Sequence, residues 1–322
     1  MPKIVAYDNA ILQIGIQSAR GTAAALTASS VLLVGNLEAS IKLLDEENLS
    51  LNTDDPFFNP TIRSNLRNAF KCNVPWIYSG TAGTASPLQP LFLCTGFDAT
   101  VTAGSKVTYT RAPITGIDLA TVVMQGDIDG ANAYEYRAVD AIGEIGCNWE
   151  AGKIPKFAIN NLMGNFILPS SVTKVTPAWG TQKTNIGEQW EGTIAYTGKY
   201  TIGGVDKTLC LTSMSIDNLA GYTVKRITYA GCSGMTIPSI APSKLTVTYR
   251  IPDFATEFNP WNLPNAGIGV EFGCGSVAGR KIKIACASME PIGEIKRTKG
   301  PDGNTFITQT LNALTGFVIT EE

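Results

Sequence analysis

Four stretches of the 322-residue chain carry residue types that could do chemistry. Ser171-Val172-Thr173-Lys174 has the spacing at which a lysine one helical turn away can take the proton of a serine nucleophile. It lies in a Ser/Thr-rich run beside Pro169 instead of at a helix start, and no Lys-Thr-Gly partner accompanies it, so the match carries no catalysis. Asp127-Ile128-Asp129-Gly130 begins like a calcium loop, but the later oxygen ligands and the closing glutamate are missing at the required spacing, which leaves a turn. Gly273-Cys274-Gly275-Ser276-Val277-Ala278-Gly279 is glycine-rich without a following helix or a phosphate-binding lysine. Lys296, Arg297 and Lys299 form a small basic cluster at a hairpin end, the chemistry of a solvated edge that resists strand pairing.

The chain contains no histidine. That removes the commonest general base and metal ligand, and with it Ser-His-Asp catalysis, Cys-His catalysis and histidine-containing zinc sites. The seven cysteines (72, 94, 147, 210, 232, 274 and 286) are odd in number and mostly embedded in apolar runs, the pattern of buried thiols in a reducing compartment. No catalytic, cofactor-binding or metal-ligating set is therefore expected, and no cofactor. A formal charge of −2 offers no large attraction to phosphates or to an acidic membrane. The N-terminus has no basic region leading into a long apolar run, and eighteen consecutive apolar residues occur nowhere, so a soluble chain made in the cytosol is expected.

The elements that would position any site are almost all strands. Charged residues are 16%, Gly numbers 32 and Pro 17, which suits short strands joined by tight turns better than long solvated helices. Period-two alternation marks Leu12/Ile14/Ile16, Leu37/Ala39/Ile41/Leu43 and Phe70/Cys72/Val74/Trp76, and again Met214/Ile216, Leu245/Val247/Tyr249 and Ile282/Ile284/Cys286. Turns are expected at Asp127–Gly130, at Glu150–Lys153 and at Lys299–Asn304. One helix is expected, from Ser86 as cap through Pro87 to Gly96, with Leu91 and Phe92 buried and Phe97 folded back onto Phe92; Pro90 should shorten it. The fold class is thus mainly β, a sandwich or barrel with a short flanking helix. The order of elements is similar in both halves, which suggests a duplicated architecture: a domain at 1–168, a linker at 169–188 and a second β domain at 189–322.

Residues 45–68 interrupt the alternation. Asp45, Glu46 and Glu47 open the segment, Asp54, Asp55, Phe57 and Phe58 occupy its middle, and Arg63 and Arg67 close it. A polar insertion of this length is either a surface loop anchored by the two phenylalanines or an arm that docks on a neighbouring copy, its acidic start and basic end suited to cross-pairing.

Taken together, several segments resemble the tail tube proteins (major tail proteins) of long-tailed, non-contractile phages. The resemblance is carried by Arg20-Gly21-Thr22-Ala23 after the first strand and by the Pro-bounded helix from Ser86-Pro87-Leu88-Gln89-Pro90-Leu91 to Cys94-Thr95-Gly96-Phe97. Tyr136 to Ile145, followed by Trp149-Glu150-Ala151-Gly152-Lys153-Ile154-Pro155, looks like the family's long hairpin. Gly279-Arg280-Lys281-Ile282-Lys283-Ile284 and the Asp302-Gly303 hairpin look like its last strands.

The resemblance implies a structural virion subunit that forms closed rings stacked into a tube, the conduit for genome passage into the host. Its implied location is the virion tail, and its implied partners are copies of itself, tail tip and tail terminator proteins, the tape measure protein, and double-stranded DNA held without sequence-specific binding, with no membrane partner. A ring would be three two-unit chains or six chains, and the 45–68 segment would reach the adjacent ring. The residues leave two other readings open: a capsid-decorating or other structural β protein of a virion, and a hydrolase built on carboxylates alone.

Overall fold

The computed structural model describes residues 10–42, 45–48, 61–64, 67–129, 131–151, 153–180, 182–186, 197–227, 235–300 and 303–322. The first strands are β1 (Ile11–Ile16), β2 (Val31–Leu32), β3 (Gly35–Lys42), β4 (Asp45–Asn48), β5 (Thr61–Ser64) and β6 (Arg67–Pro75). Helix α1 (Gln89–Cys94) follows, then β7 (Phe97–Thr102), β8 (Lys106–Arg111), β9 (Ala120–Asp129), β10 (Asn132–Glu150) and β11 (Lys156–Thr173). Next come β12 (Thr197–Ile202), β13 (Val205–Thr208), β14 (Leu211–Asp217), β15 (Tyr222–Ile227), β16 (Met235–Ile240) and β17 (Lys244–Arg250). The last are β18 (Ile268–Cys274), β19 (Ile282–Lys299), β20 (Thr305–Ala313) and β21 (Phe317–Glu321).

The chain is mainly β, and its strands join into a large antiparallel sheet. Strand β10 is the joint. It pairs with β9 over Asn132–Ala141 and with β14 over Cys147–Glu150, while β11 follows its other edge almost throughout. From β14 the ladders run through β17 and β20 to β19, which takes β18 on one edge and β20 then β21 on the other. Strand β21 pairs in turn with β8. Among the described residues, strands from before residue 168 and after residue 189 therefore share ladders at two places, β10 with β14 and β8 with β21.

Alternation explains which side chains face inward. In β6, Asn68, Phe70, Cys72 and Val74 are buried while their neighbours are half-buried or exposed, and in β17 Leu245, Val247 and Tyr249 are buried between half-buried threonines. The inward residues form one main core. A chain of aromatic rings crosses it: Tyr109 against Phe92 at 4.7 Å, Phe92 against Phe157 at 5.1 Å, Phe157 against Trp76 at 5.5 Å, Trp76 against Trp149 at 5.4 Å and Trp149 against Phe272 at 6.4 Å. Each such pair adds roughly 0.5–1.5 kcal/mol to the area it buries.

Helix α1 is shorter than its caps suggest. Ser86 lies three residues before its start, and the first intrahelical acceptor is the Leu88 carbonyl, which takes the N–H groups of Leu91 and Phe92. Pro90, without an N–H, is tolerated only because that group would be unpaired in a first turn. At the other end the Thr95 hydroxyl donates to the Leu91 and Phe92 carbonyls, and Gly96 closes the turn at φ +104°. Leu91, Phe92 and Cys94 are buried, and Phe97 meets Phe92 edge-on at 6.2 Å.

Two expectations need adjusting. The first part of the expected linker is strand, since β11 runs to Thr173; beyond it the Val175 N–H donates to Gln125, and Gln182 bridges the Val31 carbonyl and the Leu33 N–H. Of the six described cysteines, five are buried and Cys210 is exposed, because Leu209, not Cys210, turns inward before β14.

Candidate functional site

The charged segment after β3 is strand at both ends. Residues Lys42 and Arg67 stand opposite each other in the β3–β6 ladder, and three positions further on Asp45 stands opposite Ser64 in the β4–β5 ladder, so the two ladders share one register. Glu46 lies opposite Arg63 and Glu47 opposite Ile62. Within the expected insertion, the described residues 45–48 and 61–64 therefore pair as two strands in the register of the β3–β6 ladder. Arg67, expected at the end of the segment, belongs to β6 and also stands opposite Asn165 of β11. Asp54, Asp55, Phe57 and Phe58 lie outside the described residues.

The motifs set aside on sequence grounds occupy structural positions. Ser171 is in β11 opposite Tyr134, and the Lys174 N–H donates to the Ala131 carbonyl, so no helical turn brings lysine to serine. Asp129 pairs with Asn132 at the β9–β10 hairpin. Among the described residues no cluster of three or more Cys, Asp and Glu side chains could hold a metal. In the glycine-rich stretch, a side chain at Gly279 (φ +79°) would lie 2.6 Å from the backbone of Gly80 and Thr81, whose N–H and carbonyl it meets across the Gly80 N–H to Gly279 carbonyl bond, so the residue serves backbone approach.

One buried polar cluster had no motif to announce it. The Glu321 carboxyl accepts the Ser86 N–H at 3.0 Å and the Tyr109 hydroxyl at 3.1 Å, and also the Ser86 hydroxyl. Burial, opposed by those donors, pushes Glu321 up to about 7. Its signal in the sequence was parity: Phe317 and Ile319 face inward on β21, and Glu321 shares their side. A hollow of about 460 Å³ lies elsewhere, on the outer face of β12, β18 and β19, lined mainly by glycine, alanine and threonine with the Lys199–Glu271 pair.

The exposed surface is instead rich in strand edges. Among the described residues no ladder covers the second edge of β3, β7 or β13, of β11 beyond Asn165, or of β19 beyond Met289. Ile167 and Leu168 on the bare part of β11 are exposed, Leu168 by 76%. On the next layer of ladders, Ser213 and Ser215 of β14 stand opposite Thr248 and Thr246 of β17, which stand opposite Thr308 and Thr310 of β20. The Thr248 and Thr308 hydroxyls are 2.9 Å apart, in a row of half-buried hydroxyls that shares its face with Lys244 and Arg250 of β17, with Glu150 opposite Ser213 and with Lys296 opposite Thr308.

No protein-family model matches the chain, and no curated protein matches it.

Proposed function

We propose that the chain is a structural subunit that assembles with copies of itself into stacked rings, forming the tail tube of a long-tailed phage. The observation that supports the reading is the combination of a large antiparallel sheet with several edges that no ladder covers among the described residues and a β4–β5 pair that keeps the register of the β3–β6 ladder. An uncovered edge exposes backbone N–H and C=O groups that pair with a neighbour, and ring closure stops that pairing from running on. The reading calls for the sheet to be folded into a sandwich or barrel, duplicated in the two halves or not; a ring then contains three chains or six.

The hydroxyl face of β14, β17 and β20 suits the wall of the bore. The chain's formal charge of −2 offers phosphates no large attraction, so DNA gains little from counterion release and can slide. The segment at 45–68 is the arm that reaches the adjacent ring, and α1 sits on the flank of the sheet that it braces. The tube carries the tape measure protein and double-stranded DNA inside, and tip and terminator proteins at its ends. Electron microscopy of the concentrated, purified chain tests the reading: rings or tubes of three- or sixfold symmetry are expected, and a chain that stays monomeric at high concentration overturns it.

A further inference from the structure

The loop between β17 and β18 presents two aromatic rings to solvent in a fixed arrangement. Phe254 and Trp261 are 49% and 47% exposed, and their rings meet edge-to-face at 5.6 Å. The loop is held from both sides. Asp253 accepts the Ala255 N–H and the Thr256 hydroxyl, Glu257 accepts the Asp253 N–H, the Asn259 side chain accepts the Trp261 N–H, and Phe258 is buried against Tyr200 and Tyr249. The two acids of the loop are thus turned into its own hydrogen bonds, and the aromatic pair is preorganised.

Beside the rings lies the end of β19. The Arg297 guanidinium stands 6.0 Å over the Trp261 ring, and Lys296 and Lys299 are exposed on the same strand. One edge of this strand is taken by β20, with Lys296 opposite Thr308 and Lys299 opposite Thr305. The other edge has no ladder among the described residues. Lysines on an edge repel a neutral or basic strand, whereas an acidic strand is drawn to the same edge.

The chain contains one segment of matching chemistry. Between residues 43 and 62 there are five acids, Asp45, Glu46, Glu47, Asp54 and Asp55, no lysine or arginine, and the pair Phe57-Phe58. We infer that the β19 end, with Trp261 and Phe254, is the receptor for this acidic arm of a second copy of the chain. The carboxylates meet Lys296, Arg297 and Lys299, and the phenylalanines meet the exposed rings. The inference rests on the tube reading for the arm's role between rings, and it names the surface that the arm engages.

A peptide of residues 43–62, fluorescently labelled, titrated into the full-length chain and read by anisotropy, tests it. Binding is expected, weakened about tenfold by K296E/R297E/K299E, severalfold by Trp261→Ala, and progressively by salt. All these positions are exposed, and thermal melts of the variants check that each chain still folds. A peptide that fails to bind, or that binds the charge-reversed chain equally well, overturns the receptor. Assembly separates this from the tube reading. If the charge-reversed chain still makes normal tubes, the receptor is wrong and the tube stands; if the peptide binds as expected but no rings or tubes form, the receptor stands and the tube reading falls. Rescue of assembly by combining K296E/R297E/K299E with D45K/E46K/E47K supports both.

Discussion

The backbone N–H of Ser86 donates to Glu321 Oε2 at 3.0 Å, so the segment leading into α1 and the last inward position of β21 are held by a single buried carboxyl. Tyr109 of β8 donates to the same oxygen at 3.1 Å. This carboxyl is a pH-dependent joint. Its folded value of about 7 is above the ordinary 4.5, so the native state holds a proton that the unfolded state releases between those values. The stability gained from that proton is full below 4.5, declines as pH rises, and is lost above 7, on the order of 3 kcal/mol. Glu321→Gln removes the exchange. Urea unfolding of wild type and variant from pH 4.5 to 8 should show their difference shifting by that amount in favour of the variant; a difference that stays constant with pH would contradict the assignment.

Phe92 is fully buried and touches Phe97, Tyr109 and Phe157. Truncation to alanine leaves a cavity at the point where α1 meets the sheet, and a loss of about 3–5 kcal/mol is expected in the same urea titration.

Gly96 and Gly104 separate backbone strain from steric contact. Both have positive φ, +104° and +69°, but a side chain at Gly96 would lie 2.6 Å from the Tyr222 ring, whereas nothing lies within 4 Å at Gly104. Gly104→Ala should cost about 1 kcal/mol and Gly96→Ala on the order of 3 kcal/mol, since overpacking adds to the dihedral penalty. Equal losses in calorimetry would show that Tyr222 yields freely.

Thiol chemistry distinguishes Cys210 from the buried cysteines. Burial pushes the Cys72 thiol up to about 12 and raises Cys94 and Cys147 further, so none of the three forms thiolate at pH 8. In a Cys232→Ser background, one thiol should react quickly with a disulfide reagent in the native chain, and Cys210→Ser should abolish it. Fast reaction of more than one would show that the core opens.

Local pattern told where strands lie and which way they face. Leu12/Ile14, Phe70/Cys72/Val74 and Leu245/Val247/Tyr249 are inward as their alternation required, and the helix ends at Gly96 as its chemistry required. The partners were not legible, because ladder bonds join backbone groups that are alike in every residue. Nothing in Asn132–Glu150 announces that one strand serves three neighbours. The strands at 45–48 and 61–64 were hidden for a related reason: β4 and β5 follow the register of the β3–β6 ladder, and register is a matter of backbone pairing that polar side chains do not display. The aromatic pair at Phe254 and Trp261 is likewise a tertiary fact, fixed by a loop whose hydrogen bonds are its own.

The β21–β8 ladder also sets a timetable. Ser86 and Tyr109 precede their shared carboxylate by 235 and 212 residues. At roughly 5–20 residues per second a ribosome takes on the order of ten to fifty seconds to cover that distance. Throughout that wait, the free side of β8 has no native strand beside it and the segment before α1 has no native anchor. Unfinished copies on neighbouring ribosomes would meet with those strands bare, so the yield of correctly folded chain should depend on how crowded, and how slow, its own synthesis is.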